Sequence, residues 1–254
     1  TLEFLKSTSN FTGIQSTMAT NEQSEMGSDS GLKERRALCE ICERPVVVCL
    51  CHVIPNPPIS TNTKVLIVQH PHESRHRLNT ARILTKSLLN TTIVVARRLQ
   101  AEHLTDNLPT YYIFPSQMST PISQLKDRVK EEMRTGPVML IAFDATWRHA
   151  REMVRASEGY LNSFATGVCL DKYDPCSEGG SIYDSELLLR KEPCVGCVST
   201  VEAVARWFGA TDGNSETESR IVEVLREMVR LQAQFLKPIK PRITIKKTRR
   251  VHGQ

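Results

Sequence analysis

No apolar run in this 254-residue chain approaches the roughly 20 residues that a helix needs to cross a bilayer. The strongest runs, Val65 to Val68 and Val138 to Phe143, have the length of strands, so no membrane span is expected. Residues 1–30 are rich in Ser, Thr, Asn and Gln, without a basic segment leading into an apolar one, and no secretory signal is read there. Transit peptides are also Ser-rich, so the expected location is cytoplasmic or nuclear, with organellar import as the alternative. There is no G-x-G-x-x-G and no P-loop pattern, which argues against an ordinary dinucleotide or nucleotide site. No internal repeat is visible, which removes solenoids and propellers.

What remains is a globular composition. With 40% hydrophobic residues the chain can bury a full core. Its net charge of +5 is modest but uneven. Residues 237–254 carry Lys237, Lys240, Arg242, Lys246, Lys247, Arg249 and Arg250 with no acid among them. A run of this kind is either a solvated tail or a grip on an anionic polymer, and in a basic protein the second reading leads.

The eight cysteines are few enough to sort by spacing. Cys39 and Cys42 form a C-x2-C knuckle, and Cys49 and Cys51 return as C-x-C. Four thiolates within thirteen residues can close a tetrahedral structural zinc site with no open position for chemistry. His52 adjoins them and is read as a surface residue. Cys194 and Cys197 form a second C-x2-C with no matching pair, and Cys169 and Cys176 read as ordinary thiols.

Ile54-Pro55-Asn56-Pro57-Pro58 is a stiff connector marking a boundary near residue 60. The division expected is an N-terminal segment, 1–36, without fixed structure; a zinc knuckle, 37–58; a main domain, 59–236; and a basic tail, 237–254. Within the main domain the patterns predict strands at Thr63 to Gln69, Ile93 to Ala96, Tyr111 to Phe114, Val138 to Phe143 and Gly167 to Leu170. Helical spacing is predicted at Leu78 to Leu89, Ile122 to Met133, Arg148 to Ser157, Thr200 to Phe208 and Glu218 to Phe235, with Thr80 as the cap of the first. This alternation gives an α/β fold with a mostly parallel sheet flanked by helices.

Asp144-Ala145-Thr146-Trp147 lies where the apolar run Val138 to Phe143 meets a helix, the place where open α/β sheets bind ligands. The plainer reading is a helix N-cap with an aromatic packed beneath it. Gly196, Ser199, Thr200 and Glu202 form a second junction of the same kind. There Ser199 and Glu202 are as readily a capping box as ligands.

Five motifs occur in order: C-x2-C-x-R-P-x3-C-x-C at Cys39 to Cys51, HPHESRHRLNT at His70 to Thr80, DATW at Asp144 to Trp147, LRKEP at Leu189 to Pro193 and STVEA at Ser199 to Ala203. The set resembles the DTW-domain proteins, the tRNA-uridine aminocarboxypropyltransferases, from about residue 37 to the C-terminal helix. Cys194 and Cys197 are not part of that pattern. The resemblance implies a SPOUT-like parallel sheet with a C-terminal trefoil knot and S-adenosylmethionine as cofactor. The implied reaction moves the 3-amino-3-carboxypropyl group to N3 of a uridine in tRNA and releases methylthioadenosine. A SPOUT-type RNA methyltransferase and a non-catalytic zinc and RNA-binding module are the alternatives.

On that reading Asp144 is the expected base for the imide proton. The residues expected around the cofactor are Thr146, Trp147, Arg190, Gly196, Ser199, Thr200 and Glu202. Arg190 or Lys191 would meet its carboxylate, Glu202 its ammonium, and Trp147 a base ring. Arg75, His76 and Arg77, with Lys246, Lys247, Arg249 and Arg250 of the tail, are expected on tRNA phosphates.

Overall fold

The structure is a computed structural model that describes residues 37–76, 79–171, 198–212 and 215–235. Two of its strands, β1 (Thr63–Gln69) and β5 (Val138–Asp144), are buried almost from end to end because helices cover both of their faces. Around them the sheet runs β2 (Thr91–Val95), β1, β5, β3 (Thr110–Ile113), β6 (Ala165–Cys169) and β4 (Thr120–Pro121), and every pairing in it is parallel.

Alternation along the strands divides the core in two. Val65 and Ile67 of β1, with Val138, Leu140 and Ala142 of β5, share one cluster with residues of α2 (Ala81–Ser87), α3 (Ile122–Thr135), α5 (Thr200–Thr211) and α6 (Ser215–Ala233). Leu66 and Val68, with Met139, Ile141 and Phe143, pack on the other face against Met153, Val154 and Leu161 of α4 (Trp147–Leu161). On the first face Trp207 is fully buried, and its indole N–H donates to Thr63 Oγ1 at 3.2 Å. A buried indole needs such a partner.

The predicted elements return with small shifts at their ends. The segment HPHESRHR, read as a loop, contains a short helix, α1 (Pro71–Ser74), begun by a proline at its first position. Strand β4 was not predicted, because two residues carry no period. The cap of α2 is a correction: Thr80 makes no side-chain cap bond, and the Ala81 N–H is taken by Asn79 Oδ1 at 3.1 Å. Among the described residues no helix is long and apolar enough to cross a membrane. The expected trefoil knot falls in the C-terminal part of the chain, where residues 172–197 and 236–254 lie outside those described.

Residues 38–54 form a tight cysteine-bearing turn joined to this core. Leu38 bridges Pro45 in antiparallel fashion, the Cys39 N–H donates to Arg44 O, and Glu43 takes the left-handed conformation at φ 58° that lets the chain reverse. A 3-10 turn over Val46–Val48 then brings the second cysteine pair back to the first. Leu50, between Cys49 and Cys51, is buried in the same cluster as β1 and α2.

Candidate active site

The chain leaves β1 toward β2 on one side of the sheet, and leaves β5 toward β6 on the other. The crevice at the carboxyl ends of β1 and β5 is therefore the topological switch point, where α/β sheets hold ligands. Gln69 and Asp144 are the last residues of these two strands and are paired in register. The His70 N–H donates to Asp144 O at 2.9 Å and continues the pairing one residue further.

Asp144 is only 7% exposed, on the sheet face shared by Ala142, Leu140 and α5. Its Oδ2 accepts the Gln69 Nε2–H at 2.8 Å. The same amide nitrogen reaches Asn79 Oδ1 at 3.2 Å, and Asn79 Nδ2 returns a longer contact of 3.4 Å to Gln69 Oε1. Gln69 and Asn79 are themselves 3% and 8% exposed. Three polar side chains thus occupy a place in the sheet that an apolar residue could fill.

Thr146 is the N-cap of α4, and its hydroxyl accepts the His149 N–H at 3.4 Å. Trp147, the first residue of that helix, is half-buried with its ring centroid 6.0 Å from that of Phe114, beyond the end of β3. The two rings form an aromatic wall beside the carboxylate strand.

At the second junction Ser199 caps α5. Its Oγ accepts the Glu202 N–H at 3.2 Å, and Glu202 Oε2 accepts the Ser199 N–H at 2.9 Å. This is the capping box that the spacing allowed, with Glu202 buried at 2% exposure. Helices on a parallel sheet run against the strands. Trp207, past the middle of α5, meets Thr63 at the start of β1. Both facts turn the Ser199 end of α5 toward the carboxyl edge of the sheet, where Asp144 lies.

On the opposite face of that edge lie three histidines that the sequence reading did not single out. The His70 and His149 rings stack at 4.3 Å and 13°, and His72 stands edge-on to both. Arg97 Nη1 lies 3.3 Å from His70 Nε2. Burial, and then the neighbouring His149, Arg97 and His72, hold the His70 imidazole below its ordinary value. A ligating nitrogen from each ring lies within 4.8 Å of the others, which is the spread of a metal cluster. The parallel stack, however, keeps the lone pairs of His70 and His149 in separate planes, and the Arg97 guanidinium opposes a second cation. The signal for these residues was His70 and His72 within HPHESRHRLNT and His149 two residues after Trp147.

Arg75 and His76 are exposed just after α1. Arg77, Arg190, Gly196, Lys246, Lys247, Arg249 and Arg250 lie outside the described residues, as do Cys194 and Cys197.

The four sulfurs of Cys39, Cys42, Cys49 and Cys51 all lie within 4.8 Å of one another. Cys39 and Cys51 are 3.5 Å apart, and Cys42 and Cys49 3.6 Å. Tetrahedral zinc at its usual zinc–sulfur distance of about 2.3 Å needs sulfurs about 3.8 Å apart, so the group fits a metal ion with little movement. The backbone N–H of Cys42, helped by that of Ile41, pulls the Cys39 thiol down to about 6, while burial and the Cys39 sulfur push Cys51 up to about 12. Without a cation the cluster cannot hold four thiolates. His52 stands aside, exposed and bonded to Glu227 Oε1 at 2.9 Å.

The sequence profile of the DTW domain matches residues 36–233. The chain belongs to the DTW-domain family. It is 48% identical over 241 residues to tRNA-uridine aminocarboxypropyltransferase A of Arabidopsis thaliana, covering 88% of this chain and 91% of the relative. With tRNA-uridine aminocarboxypropyltransferase 2 of Drosophila melanogaster it shares 26% identity over 221 residues, 82% of this chain and 79% of the relative. No solved structure matches the chain. Within this DTW-domain chain Asp144-Ala145-Thr146-Trp147 supplies the end of β5, the cap of α4 and one ring of the aromatic wall.

Proposed function

We propose that this protein transfers the 3-amino-3-carboxypropyl group of S-adenosylmethionine to N3 of a uridine in tRNA. The observation that carries this reading is the 48% identity with the plant aminocarboxypropyltransferase over nearly the whole of both chains. The buried Asp144 at the switch point agrees with it.

S-adenosylmethionine, when bound, supplies an electrophilic carbon next to a sulfonium. With that donor in place, Asp144 would take the N3 proton that the uridine gives up on alkylation, methylthioadenosine being the leaving group. Arg190, with Ser199 and Thr200 at a helix N-terminus, would hold the amino-acid carboxylate of the donor, with Thr146 and Gly196 as further donor contacts. Glu202 holds the ammonium. A carboxylate accepts several hydrogen bonds, so this leaves the cap on α5 intact. Trp147 stacks on a base ring. Choosing the propyl arm over the methyl is a matter of orientation, which rigid contacts at both ends of the donor impose.

The target uridine is unstacked to expose N3. Arg75, His76 and Arg77, with Lys246, Lys247, Arg249 and Arg250, hold tRNA phosphates around it. Cys39, Cys42, Cys49 and Cys51 hold a structural zinc whose closed shell of four sulfurs leaves no position for substrate. The domain reading is a knuckle over 37–58, a SPOUT-type catalytic domain with its C-terminal knot over 59–236 and a basic tail from 237. A cytoplasmic or nuclear site fits a tRNA substrate. Incubating the purified protein with S-adenosylmethionine and tRNA, then weighing the nucleosides and the spent donor, tests the reading. An aminocarboxypropyl adduct with methylthioadenosine supports it; methyluridine with S-adenosylhomocysteine contradicts it.

A further inference from the structure

We propose that Gln69, held in place by Asn79, is a positioning residue for Asp144, so that the amide pair fixes the carboxylate for its work on the imide. The inference rests on the reading of Asp144 as the base.

The directions of the hydrogen bonds are set at both ends. The Ala81 backbone N–H can only donate, and it lies 3.1 Å from Asn79 Oδ1. That assigns the oxygen and nitrogen of the Asn79 amide. Gln69 must then turn Nε2 toward Asn79 Oδ1 and Oε1 toward Asn79 Nδ2. The second hydrogen on Gln69 Nε2 is left to meet Asp144 Oδ2, 2.8 Å away. A flipped Gln69 amide would set oxygen against oxygen and break both contacts. The carboxylate oxygen facing Gln69 is thereby required to be an acceptor, and the Asp144 side chain is pinned in one rotamer.

Packing gives no reason for an amide at this position. The residues before Gln69 on the same face of β1, Val65 and Ile67, are apolar and buried, and so are Leu140 and Ala142 before Asp144. A leucine or methionine would fill the space and avoid the cost of burying an amide. Polar groups that break the pattern of a core, are fully satisfied and meet at a switch point are the mark of a site held in a set geometry.

The test is steady-state kinetics of Gln69→Met, Gln69→Glu and Asn79→Ala beside Asp144→Asn, with kcat and KM for tRNA measured separately from pH 5.5 to about 9. Activity is counted per folded molecule by circular dichroism. Gln69→Met is expected to lower kcat roughly 10- to 100-fold with KM within twofold, and Asn79→Ala to do so more weakly. Gln69→Glu sets two carboxylates side by side, so the acid limb of its kcat–pH profile should move upward by about one unit. If Asp144→Asn is inactive while every Gln69 and Asn79 variant that folds keeps the wild-type kcat and pH profile, the positioning role is wrong and the base survives. If Asp144→Asn keeps full activity, the base reading falls and takes this inference with it. Should Gln69→Met fail to fold, Asn79→Ala, one contact removed from Asp144, decides, because a purely structural role would lower its melting temperature without moving kcat.

Discussion

Gln69 and Asp144 face each other across two parallel strands, in register, with a 2.8 Å hydrogen bond between their side chains. The pair sits at the carboxyl ends of the two strands, and the half-buried Trp147 begins the helix that follows. Everything proposed for the chemistry depends on that carboxylate being where a base is needed.

Asp144→Asn keeps the shape and the Gln69 contact can re-form through the amide oxygen, so folding should survive. Turnover should fall by about 10²- to 10⁴-fold, the usual share of a positioned general base. Single-turnover assays with saturating S-adenosylmethionine and tRNA check this, with calorimetry to show that donor binding is kept.

Loss of the zinc proposed for the cysteine cluster should destabilise more than the knuckle. Leu50 sits between two of the cysteines and is 1% exposed within the main core, so loosening residues 38–54 opens that core to water. Cys39→Ser is expected to lose bound zinc, measured by elemental analysis, and to lower stability by more than the roughly 1 kcal/mol of an average substitution. A variant with unchanged zinc content and melting temperature would speak against the cluster.

Ser199→Ala separates cap from ligand. As a cap alone, Ser199 contributes about 1 kcal/mol, which lowers the melting temperature by roughly 2–4 °C in a domain of this size. If its hydroxyl also holds the donor, KM for S-adenosylmethionine rises in the same variant. Urea unfolding and donor titration read the two effects independently.

The stability of the fold should carry a histidine signature. His70 binds its proton less readily when folded than when unfolded, so its contribution is complete above its ordinary value near 6.5 and is lost as pH falls through the lower folded value. Asp212, which burial pushes up to about 6, works in the opposite sense: its contribution is present below its ordinary value of 3.8 and lost as pH rises through about 6. The comparison of wild type with His70→Asn therefore isolates the effect. The wild type should lose more stability than the variant between pH 7 and 5.

How much of this was legible beforehand follows from which residues make a pattern. The runs at Val65 to Val68 and Val138 to Phe143 announced buried strands because both faces are covered, and Ile221, Val224, Leu225 and Met228 marked the stripe of α6. Asp144 and Ser199 were readable as junctions because each follows or precedes such a run. Gln69 was not, since a polar residue closing a strand is ordinary until its register partner is known. The gathering of His70, His72 and His149 needed the same knowledge: residues over seventy positions apart meet only when β5 is inserted beside β1. That Asn79 rather than Thr80 takes the Ala81 N–H was not legible, because the choice rests on one residue of helix phase.

The phosphate contacts proposed for the tail would have their own signature. Each one released by substitution lowers the slope of log affinity against log salt by about 0.7–0.9. Replacing Lys246, Lys247, Arg249 and Arg250 together by alanine should reduce the tRNA slope by about 3, with little change in donor affinity.

The most direct measurement is mass spectrometry of uridine nucleosides from tRNA treated with the wild-type protein and with Asp144→Asn, each supplied with S-adenosylmethionine. An aminocarboxypropyl-uridine made by the wild type, with an equal amount of methylthioadenosine, and lost in the variant is the predicted result. Unmodified tRNA with the wild-type protein, or a methylated uridine in its place, would contradict the account.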